Sequence, residues 1–581
     1  MTKLLNSPAV LLTLLIAPIA VFFVYFFWLR YDIPWFDEYE NIPYFLQRFL
    51  NANSFDERLD ALLKPNNEHR VLYARLVVYG QYLLTGGISF QGLMLWGNLG
   101  LVVIFCLLYK STQSVHRPVG PPPAFFFLPV SLILLNAQNY LRTCTAIYTL
   151  QYLAIIMLVM VTFFVLALNR LGPFVGALGL GTLATFSMGN GILLWPAGAV
   201  MLVMRRRWLW LGVWVVFGAV SVWLYFRNYP VQQGNSEGFA YVLQHPLQTL
   251  AGFFIFAGSL FDFFPTWTVE KRAVLPLLAG VVVVGVLAWW LAQVVFRRAA
   301  NHGVASRWVA SRSHFETFLT GVALFLLANM ALIAVFRIRF YFGMVLHSSY
   351  RTYALVLWAV GYLAFLSLQK PQTDTPTGAL DRRPQWVMGL WVLFLAINLL
   401  TYFTYVPEAI QRRKHMQGLT FNQQHNQIGL GGTRNSALAR WIVELDSTMR
   451  VRGWHTLPNP AIAPGENQLL EPRPAVVRNR PLRLINQTDY ITVESDQAVY
   501  QVSMNKGVYV VFWPVTTRGR AYLMFAEPHK PTGLSPFSRP NGWTASMPKA
   551  LLPPGNYAIG LYTITPETTT LISTGRVVTV D

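Results

Sequence analysis

From Pro8 to Leu29 the chain runs 22 residues without a charged side chain; as a helix this run would extend roughly 33 Å, enough to cross a hydrocarbon layer of about 30 Å. Eleven more apolar runs follow, near 88–109, 123–136, 145–168, 171–187, 191–204, 208–226, 247–264, 273–296, 315–336, 351–368 and 386–406. With 54% hydrophobic and 12% charged residues, the composition is that of a mainly α-helical, polytopic membrane protein. Ala17-Pro-Ile-Ala20 leads into Val-Phe-Phe-Val-Tyr-Phe-Phe instead of polar sequence, so the first run reads as an uncleaved anchor.

Loop charge sets the expected number of crossings, because short cytoplasmic loops are enriched in Lys and Arg. With the N-terminus inside, the loops holding Lys110 and Arg117, Arg170, and Arg205 to Arg207 fall inside. Alternating through all twelve runs would put Arg297, Arg298, Arg307, Arg312, Lys370, Arg382 and Arg383 outside. A re-entrant or surface-lying run 247–264, with Asp262 near its end, returns them to the cytoplasm and leaves about eleven spans. The net charge of +20 is therefore read as topology signal and contact with the lipid bilayer, with no nucleic acid as partner. Cys106 and Cys144 imply no disulfide framework.

After Val406 the chain turns polar and Pro-rich. Three parts are expected: a membrane domain 1–406 with a long first outer loop 31–87, a linker and helical segment 407–480, and a β-sandwich 481–581. Ser436 to Met449 has helical apolar spacing, and roughly seven short β-rich segments such as "GVYVVFW" alternate with turn signals after 481. Trp513 and Trp543 are candidate exposed rings for stacking on sugars.

Acids are distributed unevenly. None lies between Glu68 and Glu237, or between Glu316 and Asp374, which weighs against a proton- or sodium-coupled transporter. They gather in the first outer loop, in "YDIPWFDEYENIPY". The loop reads on through an amphipathic helix "ENIPYFLQRFL", a capping box at Ser54 and Glu57, and a third helix with Asn67 as cap and Glu68, His69 and Arg70 in its first turn. No glycine-rich phosphate loop follows a strand, and no Asp-x-Asp in a soluble domain stands ready to hold a nucleotide sugar through a metal.

An opening span followed at once by an outer loop that begins with an Asp-Glu pair resembles the GT-C superfamily of integral-membrane glycosyltransferases. That group includes the protein O-mannosyltransferases, the aminoarabinose transferase acting on lipid A, and bacterial O-antigen-modifying glucosyltransferases. "NEHR" in the first loop, "FSMGNGILLWP" at 186–196 and "RFYFGMVLHSSYR" at 339–351 are similar to segments of bacterial members. There the last segment tends to close Ser-Ser-Arg-Tyr; here the final pair is inverted to Tyr350-Arg351.

The resemblance implies a bacterial inner-membrane enzyme with its active site and C-terminal domain on the periplasmic side. It would move a sugar, with inversion, from a polyprenyl-phosphate donor to a periplasmic glycan or lipid-linked acceptor. Such chemistry needs a carboxylate to take the acceptor proton and cations to bind the leaving phosphate. Asp37 is the candidate base and Glu38 its companion; Asp32 and Glu40 are left to solvent or capping. Arg351, Arg339, Arg337, Arg142 and Arg70 are candidate phosphate ligands, and Glu68, His69, His347 and Tyr350 candidate acceptor or positioning residues. No cofactor is required by this chemistry; a divalent metal is left open, with Asp262 and Glu270 as further candidate acids. "MGNG" reads as a tight turn. The alternatives are a non-enzymatic translocator or scramblase of lipid-linked sugars, and an O-antigen polymerase or ligase.

The expected topology is directly testable. A phosphatase fused after Val406 should be active and one fused near Arg383 inactive; the opposite pattern inverts the orientation.

Overall fold

The computed structural model describes the chain except for residues 1–6, 68, 114–122, 230–234, 266, 297–312, 369–382, 460–465, 471–481, 500–501, 517–518 and 530–540. Glu68 and the basic loop residues Arg117, Arg297, Arg298, Arg307, Arg312, Lys370 and Arg382 thus lie outside the described residues. By packing, the chain divides into two units. One comprises Met1–Trp28, Phe49–Val77 and Leu93–Phe403; the other comprises Leu29–Arg48, Val78–Gly92 and Thr404–Asp581.

The first unit is helical, as apolar surroundings demand of a backbone that must satisfy its own hydrogen bonds. Among the described residues of the chain, nine helices are long and apolar enough to cross a membrane, and Leu171–Thr185, Gly189–Met204 and Pro246–Ala257 are shorter apolar helices. The run expected at 123–136 extends through a 3-10 turn at Ala137–Asn139 to Thr143, which makes it 20 residues long from Ala124. Pro246–Ala257 has only 12 residues and stops at Gly258. There the backbone presses on the helix Val269–Phe296: a Cβ on Gly258 would collide with the Pro276 carbonyl, and one on Gly280 with the Phe254 carbonyl. Small residues permit this approach. A short 3-10 turn, Ser259–Phe261, then delivers Asp262 into the interior, where it is 0% exposed.

The segment 31–87, expected as the first outer loop, departs from its expected form in two places. Its opening helix is broken up, as Asp37–Tyr39, a π-turn at Glu40–Tyr44 and Phe45–Asn51, with Pro43 inside the π-turn where a missing N–H interrupts regular pairing. The third helix begins at Leu72 instead of after Pro65. Asn67 adopts φ 49 in a tight Asn66–His69 reversal ahead of that helix. The Ser54 cap is present: its Oγ accepts from Glu57 N at 3.2 Å, while Glu57 Oε2 accepts from Asn53 N at 2.7 Å.

The second unit carries the C-terminal end of a 44-residue helix, Arg383–Asn426, so the change of composition after Val406 marks a passage along one helix and not its end. Among the described residues eight strands follow: β1 Arg483–Asn486, β2 Tyr490–Val499, β3 Gly507–Pro514, β4 Tyr522–Phe525, β5 Glu527–Pro528, β6 Asn541–Pro548, β7 Gly555–Ile564 and β8 Thr569–Val580. They form two antiparallel sheets, ordered β1-β2-β6-β5 and β4-β3-β7-β8. β3 is apolar without alternation because both faces are covered. Val508, Val510 and Phe512 join Ile491, Val493 and Met547 of the other sheet in one core, whereas Tyr509, Val511 and Trp513 join Phe421 of the long helix in another. Trp513 and Trp543, expected as exposed sugar platforms, are both core residues, at 4% and 6% exposure, and the Trp513 indole donates to Leu469 O at 2.9 Å.

Within this unit the helix Ala437–Val451, capped by Ser436 Oγ to Ala439 N at 3.1 Å, presents Asp446 to two donors. Tyr39 Oη donates to Asp446 Oδ1 and Gln423 Nε2 to Oδ2, each at 2.9 Å. Burial pushes the Asp446 carboxyl up to about 6, against the opposing pull of those two hydrogen bonds. Between about pH 4 and pH 6 the folded chain therefore keeps a proton that the unfolded chain releases, and Asp446 lowers stability as pH rises through that window. In thermal unfolding of the full chain, the stability of Asp446→Asn relative to wild type should grow across pH 4 to 6, by up to about 3 kcal/mol, and stay constant above. A difference independent of pH would remove Asp446 as a titrating group.

Candidate functional site

Three arginines meet at the breaks between helices of the first unit. Asp262 accepts from Arg272 Nε at 2.7 Å and from Arg272 Nη2 at 2.5 Å, and Arg351 Nη2 donates to the same carboxylate. Both arginines also reach the Leu346 carbonyl, each at 3.2 Å. Arg142, from the short helix Tyr140–Thr143, donates through Nε to Ser349 O at 3.0 Å, and its guanidinium lies 3.5 Å from the Tyr152 ring centroid and 4.1 Å from that of Tyr148. Such stacking holds a cation without neutralising it. Arg142 is 3% exposed and Arg351 2%, and among the described residues the Arg142 Nη1 is buried without a hydrogen-bond partner.

Arg351 is the first residue of the helix Arg351–Leu368, where the backbone dipole disfavours a cation and favours an anion. The Asp262 carboxylate offsets this for Arg351 and Arg272. Beside them, His347 Nδ1 hydrogen-bonds to Ser349 Oγ at 2.6 Å. Burial first, then the charges of Arg142, Arg351 and Arg272, push the His347 imidazole down to about 4, so it is neutral at pH 7. The arrangement is suited to an anion approaching Arg142, with His347 as a neutral hydrogen-bonding neighbour.

A cavity of about 400 Å³ in the same unit brings together His69, Arg337, Arg339 and Tyr350 with Tyr152, Asn190, Asn329 and Tyr353. Tyr152, the ring beneath Arg142, is thus also a wall of the cavity. Asn190 Nδ2 donates to Asn329 Oδ1 at 2.8 Å and to Tyr353 Oη at 2.7 Å. Gly191 in "MGNG" is required by packing, since a Cβ there would collide with the Ala184 carbonyl. Arg339 pairs with the exposed Glu237 at 3.0 Å, a surface contact of little energetic weight.

Arg70 has a different task from the phosphate ligation expected of it. Its Nε donates to Tyr225 O at 2.9 Å, Nη2 to Arg227 O at 2.8 Å, and Nη1 to Leu63 O, so it closes the ends of two helices. Asp37 and Glu38 belong to the second unit. Glu38 is 1% exposed and its Oε2 accepts from Trp35 N at 2.8 Å, which commits it to holding the turn. Asp37 is half-buried and follows Phe36, whose φ of 37 is costly for a bulky residue, about 1–3 kcal/mol. Asp32, left to solvent or capping, accepts from Gln91 N at 3.1 Å near the start of the helix Phe90–Gln113. Among the described residues no group of three His, Cys, Asp or Glu is placed to hold a metal ion.

Sequence reasoning missed Arg272, because Glu270 and Lys271 beside it look like ordinary interfacial charge. It missed Asn190 and Asn329 because an amide inside an apolar run carries no charge to draw notice. Compared with family models, curated proteins and solved structures, the chain matches none. The site is therefore read from its residues and geometry.

Asp262→Asn leaves the buried Arg351 and the half-buried Arg272 without their carboxylate and should cost about 3–5 kcal/mol in unfolding of the purified chain. Adding Arg272→Gln should recover part of that loss; a purely additive double variant would show that the pair is not coupled.

Proposed function

We propose that this chain is an inverting GT-C-type glycosyltransferase that moves a sugar from a polyprenyl-phosphate donor to a glycan or lipid-linked acceptor at the periplasmic face of a bacterial inner membrane. The observation that carries this reading is the cluster in which the guanidiniums of Arg272 and Arg351 meet the Asp262 carboxylate while the nearby Arg142 keeps Nη1 without a partner among the described residues. A phosphate whose charge grows as the glycosidic bond breaks is the anion that such a cluster stabilises best. Arg142 and Arg351 bind it, and Arg337 and Arg339 contribute from the adjoining cavity. Asp37 takes the proton from the acceptor hydroxyl, and Glu38 holds the turn that presents it. The nine long helices together with Leu171–Thr185 and Gly189–Met204 supply the eleven spans, Pro246–Ala257 is re-entrant, and the two C-terminal sheets pack as a sandwich.

The test is purified full chain in nanodiscs supplied with polyprenyl-phosphate hexoses. Free polyprenyl phosphate should appear only when acceptor glycan is present. Asp37→Asn should lower transfer about a hundred- to ten-thousand-fold while donor binding persists, and Arg142→Lys should weaken donor use, since an ammonium does not reproduce the guanidinium fork. Wild-type turnover in Asp37→Asn overturns the base; passage of lipid-linked sugar across the bilayer without bond cleavage favours a translocator.

A further inference from the structure

A second cavity, of about 410 Å³, lies wholly in the second packing unit, between the C-terminal end of the long helix with Gln427 just beyond it, one face of Ala437–Val451 and the segment 455–459. Val443, Asp446, Ser447 and Arg450 line it at i, i+3, i+4 and i+7, joined by Met449, whereas Ala439, Ile442 and Leu445 are buried along another stripe of the same helix. The far wall is tied in place. Gln424 Nε2 donates to Leu457 O at 3.2 Å and to Pro458 O at 3.4 Å, and Trp454 N donates to Met449 O at 2.8 Å.

The lining is unusual for its neutral polarity: Gln423, Gln424, Gln427, Ser447, Thr456 and Asn459 all contribute. Each of these side chains both donates and accepts, as a sugar hydroxyl does. His455, 8% exposed, adds a buried Nε2 with no hydrogen-bond partner among the described residues. Among the described residues Arg450 is the one arginine or lysine lining the cavity, too little for a phosphate, and the walls are too polar for a lipid chain. We propose that this cavity binds a neutral saccharide, which is the acceptor glycan of the transfer proposed above; the acceptor role rests on that reading. Asp446 connects the cavity to the proposed base, because Tyr39, two residues beyond Asp37, donates to it while Gln423 holds its other oxygen. The cavity wall and the helical turn of Asp37 are thereby one hydrogen-bonded assembly.

The test is binding of oligosaccharides built from glucose, galactose, mannose, rhamnose or N-acetylglucosamine to the full chain in nanodiscs, with no donor present. At least one should bind, and Ser447→Trp, which fills the cavity, should weaken it about tenfold or more. Gln427→Ala, an exposed change, gives the same readout with a smaller loss should Ser447→Trp fail to fold. Absence of binding to wild type, or wild-type affinity in folded variants, overturns the site. Binding that depends on these residues in a chain that never releases polyprenyl phosphate keeps the saccharide site and removes the acceptor role together with the transferase reading.

Discussion

A backbone surrounded by apolar side chains must satisfy its hydrogen bonds within itself, and the last carbonyls of every helix are where this fails. In the helical unit, those carbonyls are met by guanidinium and amide groups. Arg70 reaches Leu63, Tyr225 and Arg227; Arg75 reaches Leu62 and Lys64; Asn398 reaches Leu132 and Leu135; Gln138 reaches Leu260. An arginine fork supplies several donors in fixed directions, and its charge complements the negative end of the helix dipole. Arg70 and Arg75 are thus first of all the means by which interrupted helices stay interrupted.

This changes how a cluster of arginines is to be weighed. A guanidinium engaged on all sides by carbonyls, as Arg70 is, has its hydrogens committed, and a ligand would have to displace structure to gain them. Arg272 and Arg351 are partly committed, to Leu346 O and to Asp262. Arg142 is held by one carbonyl and two rings. Buried ion pairs add little net stability once desolvation is counted, but they fix positions. On that account Asp262 keeps two cations at a set distance from the place where a third has capacity left.

The helical body and its approximate element limits were legible because apolar runs of spanning length leave few choices for a backbone. The capping box at Ser54 and Glu57 was legible for the same local reason. Long-range partners were not. Arg70 and Tyr225 are 155 residues apart, Arg142 and Ser349 207, and Tyr39 and Asp446 407, and no spacing rule connects them. The charge rules that assigned Arg70, Arg142 and Arg351 to one face were blind to which of them a carbonyl would occupy. Trp513, a candidate sugar platform, lies in the core because the long helix, remote in sequence, covers its face of β3.

The acidic pair of the first loop shows how two adjacent carboxylates acquire different tasks. Glu38 is buried and accepts from the backbone of Trp35, three residues earlier, so its charge stabilises the turn that it terminates. Tyr39 on the next position is spent on Asp446, and Asn41 donates to the Asp37 carbonyl at 2.9 Å. These contacts over-determine the turn, which is what allows Phe36 to persist at φ 37. A carboxylate set at the head of so constrained a turn gains orientation in advance of any substrate. Orientation is what a general base most needs, since a proton is transferred only within hydrogen-bond reach. Under the proposed reading, therefore, Glu38, Tyr39 and Asn41 act on the reaction through the backbone, and Asp37 is the one member of the segment whose side chain meets the acceptor.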